Sequence, residues 1–206
     1  MHLREDRRHI QEADVRDLSR VIRIPLNLEM AANVAMTRQA ILLKPDEVCL
    51  VPENRQEITT EGGLEVAGDV RRLKSIVRKL HSAKIEVSAF IDPDLAQIEA
   101  AHRIGAKSVE LHTGAYANAT SLRQRRKELA RHGRAAACAH ELGLRVNAGH
   151  GLHYCNVREY IEDVPHLRTL NIGHAIISRA VFVGLNQAVV EMLTLLRMPE
   201  FAHNAD

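Results

Sequence analysis

Two segments of the chain end alike. Arg145-Val-Asn-Ala-Gly-His150-Gly and Thr169-Leu-Asn-Ile-Gly-His174-Ala each read as a short strand that stops at Gly-His. Imidazole is the side chain whose charge changes near neutral pH, and a neighbouring glycine lets backbone amides approach a ligand closely. Two such endings on one face of a parallel sheet would make a site for proton transfer and anion binding. Carboxylates supply the complementary base. Glu29 sits in the otherwise apolar Leu26-Asn-Leu-Glu-Met30, where it is expected to be partly withdrawn from water; pairing with a core arginine is the competing reading. Glu110 and His112 alternate in Ser108-Val-Glu-Leu-His-Thr-Gly114, so they share one side of a strand, the inner side if Val109 and Leu111 face helices. An acid–base pair and a buried structural ion pair fit that spacing equally well.

Other chemistries lack their residues. Among twelve histidines, His150, His153 and Cys155 with His2 and His9 match no standard zinc spacing, and H-E-x-x-H is absent, so no metal is expected. There is no G-x-S-x-G elbow and no G-x-G-x-x-G turn. Acid–base catalysis by histidine and glutamate, without a cofactor, is what remains. Cys49, Cys138 and Cys155 form no C-x-x-C pair and are odd in number, which suits reduced thiols. The charged start, His2 to Ile10, does not read as a secretory leader, so the expected compartment is the cytoplasm.

These residues must be positioned by the elements around them. Apolar runs at 1–4, 24–30, 47–52, 86–92, 108–114, 145–150 and 168–174 alternate with helical periodicity, as in Val70, Leu73, Ile76, Val77 and Leu80 or the longer tract at 121–143. The expectation is one α/β domain over 1–206, a TIM (β/α)8-type barrel with seven of its eight strand–helix units. Polar residues at most strand ends (Arg4, Glu29, Glu53, Asp92, His112, His150, His174) favour the barrel over an open doubly wound sheet. The polar stretch 51–63 is too long for a simple connector and reads as a substrate-covering loop. A formal charge of +2 and the absence of aromatics among the basic helix faces argue against a nucleic-acid partner, and no apolar run is long enough to span a membrane.

The motifs HLREDRRHI at 2–10, NLEMA at 27–31, LVPENRQEITTEGGL at 50–64, FID at 90–92, ELHTGAYA at 110–117, VNAGHGLHYCNV at 146–157 and LNIGHAIISRAV at 170–181 resemble, in order, the pyridoxine 5′-phosphate synthase family. That resemblance implies a (β/α)8 barrel condensing 1-deoxy-D-xylulose 5-phosphate with 3-amino-2-oxopropyl phosphate into pyridoxine 5′-phosphate, phosphate and water. It further implies no cofactor or metal and a homo-oligomer, commonly an octamer built from dimers. By motif, His2 and Glu29 match the general bases, His150 the general acid and Glu110 the residue stabilising the transition state. Arg4, His9 and Thr59 match positions for the deoxyxylulose phosphate, and Gly151, Gly173 and His174 positions for the amino-oxopropyl phosphate. Glycine amides opening onto helix N-termini would hold phosphate without a strongly basic protein. A Schiff-base aldolase is disfavoured, because Lys44, Lys74, Lys79, Lys84, Lys107 and Lys127 all read as helix, loop or strand-start positions.

The chain departs from the family at its start, where a strand and helix bearing an Asn, an Asp-His pair and an Arg would precede HLRED. The expectation is an open seam, with an inactive fragment that retains phosphate-ligand binding as the alternative to an active synthase. Met1 stands where the family has a β-branched residue, as if an internal GTG codon were read as the start. In-frame genomic sequence upstream encoding the Asn and Asp-His residues is the expected outcome; a stop codon directly before Met1 would contradict it.

Overall fold

A computed structural model describes residues 1–53 and 62–197. Strands β1 (Asn27–Ala31), β2 (Glu47–Val51), β3 (Glu86–Ile91), β4 (Ser108–His112), β5 (Arg145–Gly149) and β6 (Leu167–Asn171) form one parallel sheet in chain order. The helices are α1 (Glu12–Val21), α2 (Val34–Leu43), α3 (Val70–Ser82), α4 (Leu95–Ile104), α5 (Gly114–Ala117), α6 (Leu122–Glu141), α7 (Val157–Asp163), α8 (His174–Val183) and α9 (Leu185–Leu196). A doubly wound sheet reverses its strand order at a switch point, whereas this order runs 1 to 6 without reversal, as in a (β/α) barrel.

Alternation along the strands builds two layers. Val48, Leu50, Val109, Leu111, Val146 and Ala148 join the main core with Leu73, Ile76, Val77 and Leu80 of α3, while Cys49, Val51 and Phe90 form a separate cluster. The opposite face of α3, with Arg71, Arg72, Lys74, Arg78 and Lys79, is exposed as its periodicity predicts. α9 buries Ala188 and Met192, and the Tyr154 hydroxyl donates to Ala188 O at 2.8 Å, so the C-terminal helix packs beside α7.

The expected boundaries shift most at three places. Residues 1–4 form an isolated parallel bridge from His2 to Glu29 in place of a seventh full strand. Glu29 N donates to Met1 O (2.8 Å) and Leu3 N to Glu29 O (3.1 Å), but the chain turns at once, with Arg7 N returning to Arg4 O (3.1 Å). The run at 24–30 becomes strand only from Asn27, after Pro25, which has no N–H to give. The run at 168–174 ends as strand at Asn171, because His174 already starts α8. Among the described residues the sheet is open: Met1–Leu3 border β1 at one edge, and β6 forms the other with Arg168 and Thr169 exposed. α8 beside it buries no residue, leaving Val181 79% and Phe182 84% exposed.

His132 belongs to the scaffold. It is fully buried in α6, its Nδ1 lying 2.8 Å from the Tyr160 hydroxyl of α7, and burial pushes its pKa down to about 3. The unfolded chain takes up this proton near pH 6.5 while the folded chain does not until about 3, so stability falls as pH drops through that window. The slope is roughly 1.4 kcal/mol per pH unit. Urea unfolding from pH 7 to 4 should show His132→Gln losing less stability than the unchanged chain; parallel losses would contradict this.

Candidate active site

The floor of the site is set by residues pointing into the barrel. Register places Cys49 opposite Glu29, Phe90 and Asn147 on either side of Glu110, and Asn171 opposite Gly149. Glu110 is 3% exposed, and its Oε2 accepts from Asn171 Nδ2 at 2.7 Å and from the Cys49 thiol at 3.7 Å. Its Oε1 occupies the space a side chain would fill at residue 149: an added Cβ there would come within 2.2 Å of it. Gly149 thus leaves room for the carboxyl where it sits. Burial first, and the nearby Glu29 charge second, raise the Glu110 pKa to about 8 against the opposing bonds from Asn171 and Cys49. Glu110 therefore rests protonated at neutral pH.

Imidazoles and further carboxylates ring this floor. His150, held at φ 70°, packs its ring 4.8 Å from Phe90 and 5.7 Å from His112. Burial lowers its pKa, His112, His2 and His174 adding to the effect and Glu29 opposing it, so the resting imidazole is neutral. His112 does not pair with Glu110; its Nδ1 lies 3.2 Å from Asp92 Oδ1, an oxygen that also accepts from Gly63 N at 3.2 Å. His2 places Nδ1 3.7 Å from Glu29 Oε2 and Nε2 3.0 Å from Glu53 Oε1. Glu53 also accepts from Ala31 N (3.1 Å) and Glu5 N (2.9 Å); burial pushes its pKa up, but the bonds from His2 and Glu5 outweigh it and hold the carboxyl below its ordinary value.

A cavity of about 690 Å³ opens above these groups, and Glu29, Glu110, His150, Gly151, Gly173 and His174 all line it. His2 reaches it through Glu29. Arg4 is buried at the same end, its Nε 3.7 Å from Asp6, whereas His9 is exposed and outside the cavity lining. Thr59, with most of the expected covering loop, lies outside the described residues. Gly173 immediately precedes α8, and among the described residues no side chain caps that helix, so its first amides are available at the cavity wall. Gly151 departs from expectation. It forms a turn at φ 94°, and α7 begins only at Val157; the Asn156 side chain spans the gap by donating to Gly151 O at 3.1 Å. Among the described residues no three His, Cys, Asp or Glu side chains converge to hold a metal.

The sequence motifs do not single out Asn171 or Cys49. One signal was available for the first, since asparagine stands three residues before the histidine in both Gly-His segments.

Comparison with known proteins decides the family. Residues 1–198 match the family described as Pyridoxal phosphate biosynthesis protein PdxJ. The chain belongs to the PdxJ family. Similar PdxJ relatives include the pyridoxine 5′-phosphate synthases of Synechococcus sp. (strain JA-2-3B'a(2-13)), 58% identical over 93% of this chain and 80% of that protein, and of Opitutus terrae, 56% identical over 93% and 77%. Among solved structures the fold is similar to KGPDC from Streptococcus mutans, with TM-score 0.64, 13% identity and coverage of 91% of this chain and 80% of that one. The YdjI aldolase from Escherichia coli K12 aligns at TM-score 0.57 and 14% identity over 94% and 75%. At such identities the likeness is one of fold, and it places this PdxJ chain among the (β/α) barrels.

Gly149→Ala should destabilise the protein by about 1–3 kcal/mol through overpacking against Glu110. Combining it with Glu110→Ala removes the shortest contact, leaving only those to Asn171 at 3.1 and 3.2 Å, so a double-mutant cycle by urea unfolding should show coupling of at least about 1 kcal/mol; additive losses would contradict the assignment.

Proposed function

We propose that the chain is a pyridoxine 5′-phosphate synthase, condensing 1-deoxy-D-xylulose 5-phosphate with 3-amino-2-oxopropyl phosphate to give pyridoxine 5′-phosphate, phosphate and water. The observation that carries this is the convergence of Glu29, Glu110 and His150 on one cavity in a chain of the PdxJ family. Joining an amine to a ketone and closing an aromatic ring calls for successive proton transfers at carbon, nitrogen and oxygen. Glu29, with His2 at its flank, serves as base. His150 rests neutral, so it takes a proton from one step and returns it in the next, acting as general acid when water or phosphate departs. Glu110, protonated and desolvated, donates a hydrogen bond to oxygen on which negative charge develops, a role an ionised carboxylate beside Glu29 could not fill.

Phosphate recognition falls to the α8 N-terminus behind Gly173 and His174 and to the Gly151 turn, which supports their assignment to the amino-oxopropyl phosphate. Arg4, His9 and Thr59 are assigned to the deoxyxylulose phosphate on the family motif alone. Three free cysteines support a cytoplasmic protein, and no helix among the described residues is long and apolar enough to cross a membrane. Exposed Ile177, Val181 and Phe182 on α8 support a homo-oligomer. The open edge at β6, which borders the cavity through Asn171, favours a second reading in which phosphate ligands bind without turnover.

Product formation from the two substrates tests the assignment. Glu29→Gln and His150→Asn should each lower kcat by about 10²–10⁴. Activity should fall as pH rises past about 8, where Glu110 ionises and loses the hydrogen it donates. Substrate binding with no product would favour the second reading.

A further inference from the structure

We propose that Asn171 and Cys49 are positioning residues that decide which oxygen of Glu110 carries its proton, making Oε2 the acceptor and leaving the O–H on Oε1. The proposal deepens the synthase reading and rests on it. A neutral carboxyl has one carbonyl oxygen, which accepts, and one hydroxyl, which donates. Two donors from opposite neighbours converge on Oε2, the Asn171 amide at 2.7 Å and the Cys49 thiol at 3.7 Å. A hydrogen on Oε2 would have to compete with both, so the carbonyl form is favoured there. Oε1 lies in the space left open by Gly149. The charged neighbours acting on Glu110 are Glu29 of β1 and Glu47 of β2, while β5 and β6 face it with neutral Asn147, Gly149 and Asn171. Neither carboxylate can donate to it, so among the described residues Asn171 and Cys49 are the donors that fix Oε2 as the acceptor.

The opposite arrangement would have Asn171 turned over, its carbonyl accepting the Glu110 proton, and the two predict shifts of opposite sign. A donor to Oε2 favours the ionised form, so removing it raises the pKa; an acceptor favours the neutral form, so removing it lowers the pKa. The experiment is a pH titration of the Glu110 δ-carbon by NMR in protein labelled at that carbon, with the resonance identified by its loss in Glu110→Gln. Asn171→Leu should move the midpoint up by about one pH unit, and should lower kcat about tenfold or more with KM changed less than threefold. Cys49→Ala should also move it up, and Cys49→Ser, which keeps a donor, should hold it near the unchanged value. Midpoints that stay put or fall in Asn171→Leu and Cys49→Ala overturn the proposal. The Cys49 pair leaves edge strand β6 intact and reads the same question if Asn171→Leu does not fold. The titration needs no substrate, so failure to form pyridoxine 5′-phosphate would count against the synthase reading and not against this one.

Discussion

The site depends on one electrostatic constraint: Glu110 is enclosed in the barrel, where burial first and the neighbouring Glu29 charge second oppose its ionisation. Water would relieve the repulsion, but Glu110 is only 3% exposed. The proton stays on Glu110, whose side chain is buried, while Glu29 keeps a 29% exposed side chain at the cavity wall. Two residues of one chemical type thereby take different roles, base and neutral hydrogen-bond donor, from environment alone. Two further features accommodate the carboxyl: a glycine at 149 that leaves it room, and two uncharged donors, the Asn171 amide and the Cys49 thiol, on its Oε2.

The fold supplies this arrangement through parity. Inward positions of β1, β2 and β4 carry Glu29, Cys49 and Glu110, while the residues between them pack against helices. β6 reaches the same inner layer only because of an irregularity. Val146 pairs with Leu167 but Asn147 pairs with Thr169, so one residue is skipped and Asn171 comes opposite Gly149. In unbroken register Leu170 would face Gly149, and the amide that binds Glu110 would point outward.

This explains what could be read from the sequence. Period-two alternation is local, so Glu110 and His112 on the inner face, with Val109 and Leu111 outward, were legible, as was the sequential strand–helix order of a barrel. Helix α3 was legible for the same reason. Choosing partners was not, because pairing depends on strands far apart in sequence: His112 goes to Asp92, and Glu110 to Cys49 and Asn171. The two Gly-His segments look equivalent yet differ structurally. His150 follows its strand directly in a left-handed conformation, whereas His174 opens a helix three residues beyond its strand. Periodicity also counted residues 1–4 as a strand, but the turn stabilised by Arg7 and Arg4 ends pairing after Leu3.

That the Glu29 charge helps hold the proton on Glu110 is tested most directly by removing that charge. In Glu29→Gln, with Glu110 followed by NMR, the Glu110 midpoint should fall from about 8 by about one pH unit, because the repulsion favouring its neutral form is gone. A midpoint that stayed at about 8 or rose would contradict the account, since Glu29 would then play no part in holding the proton there.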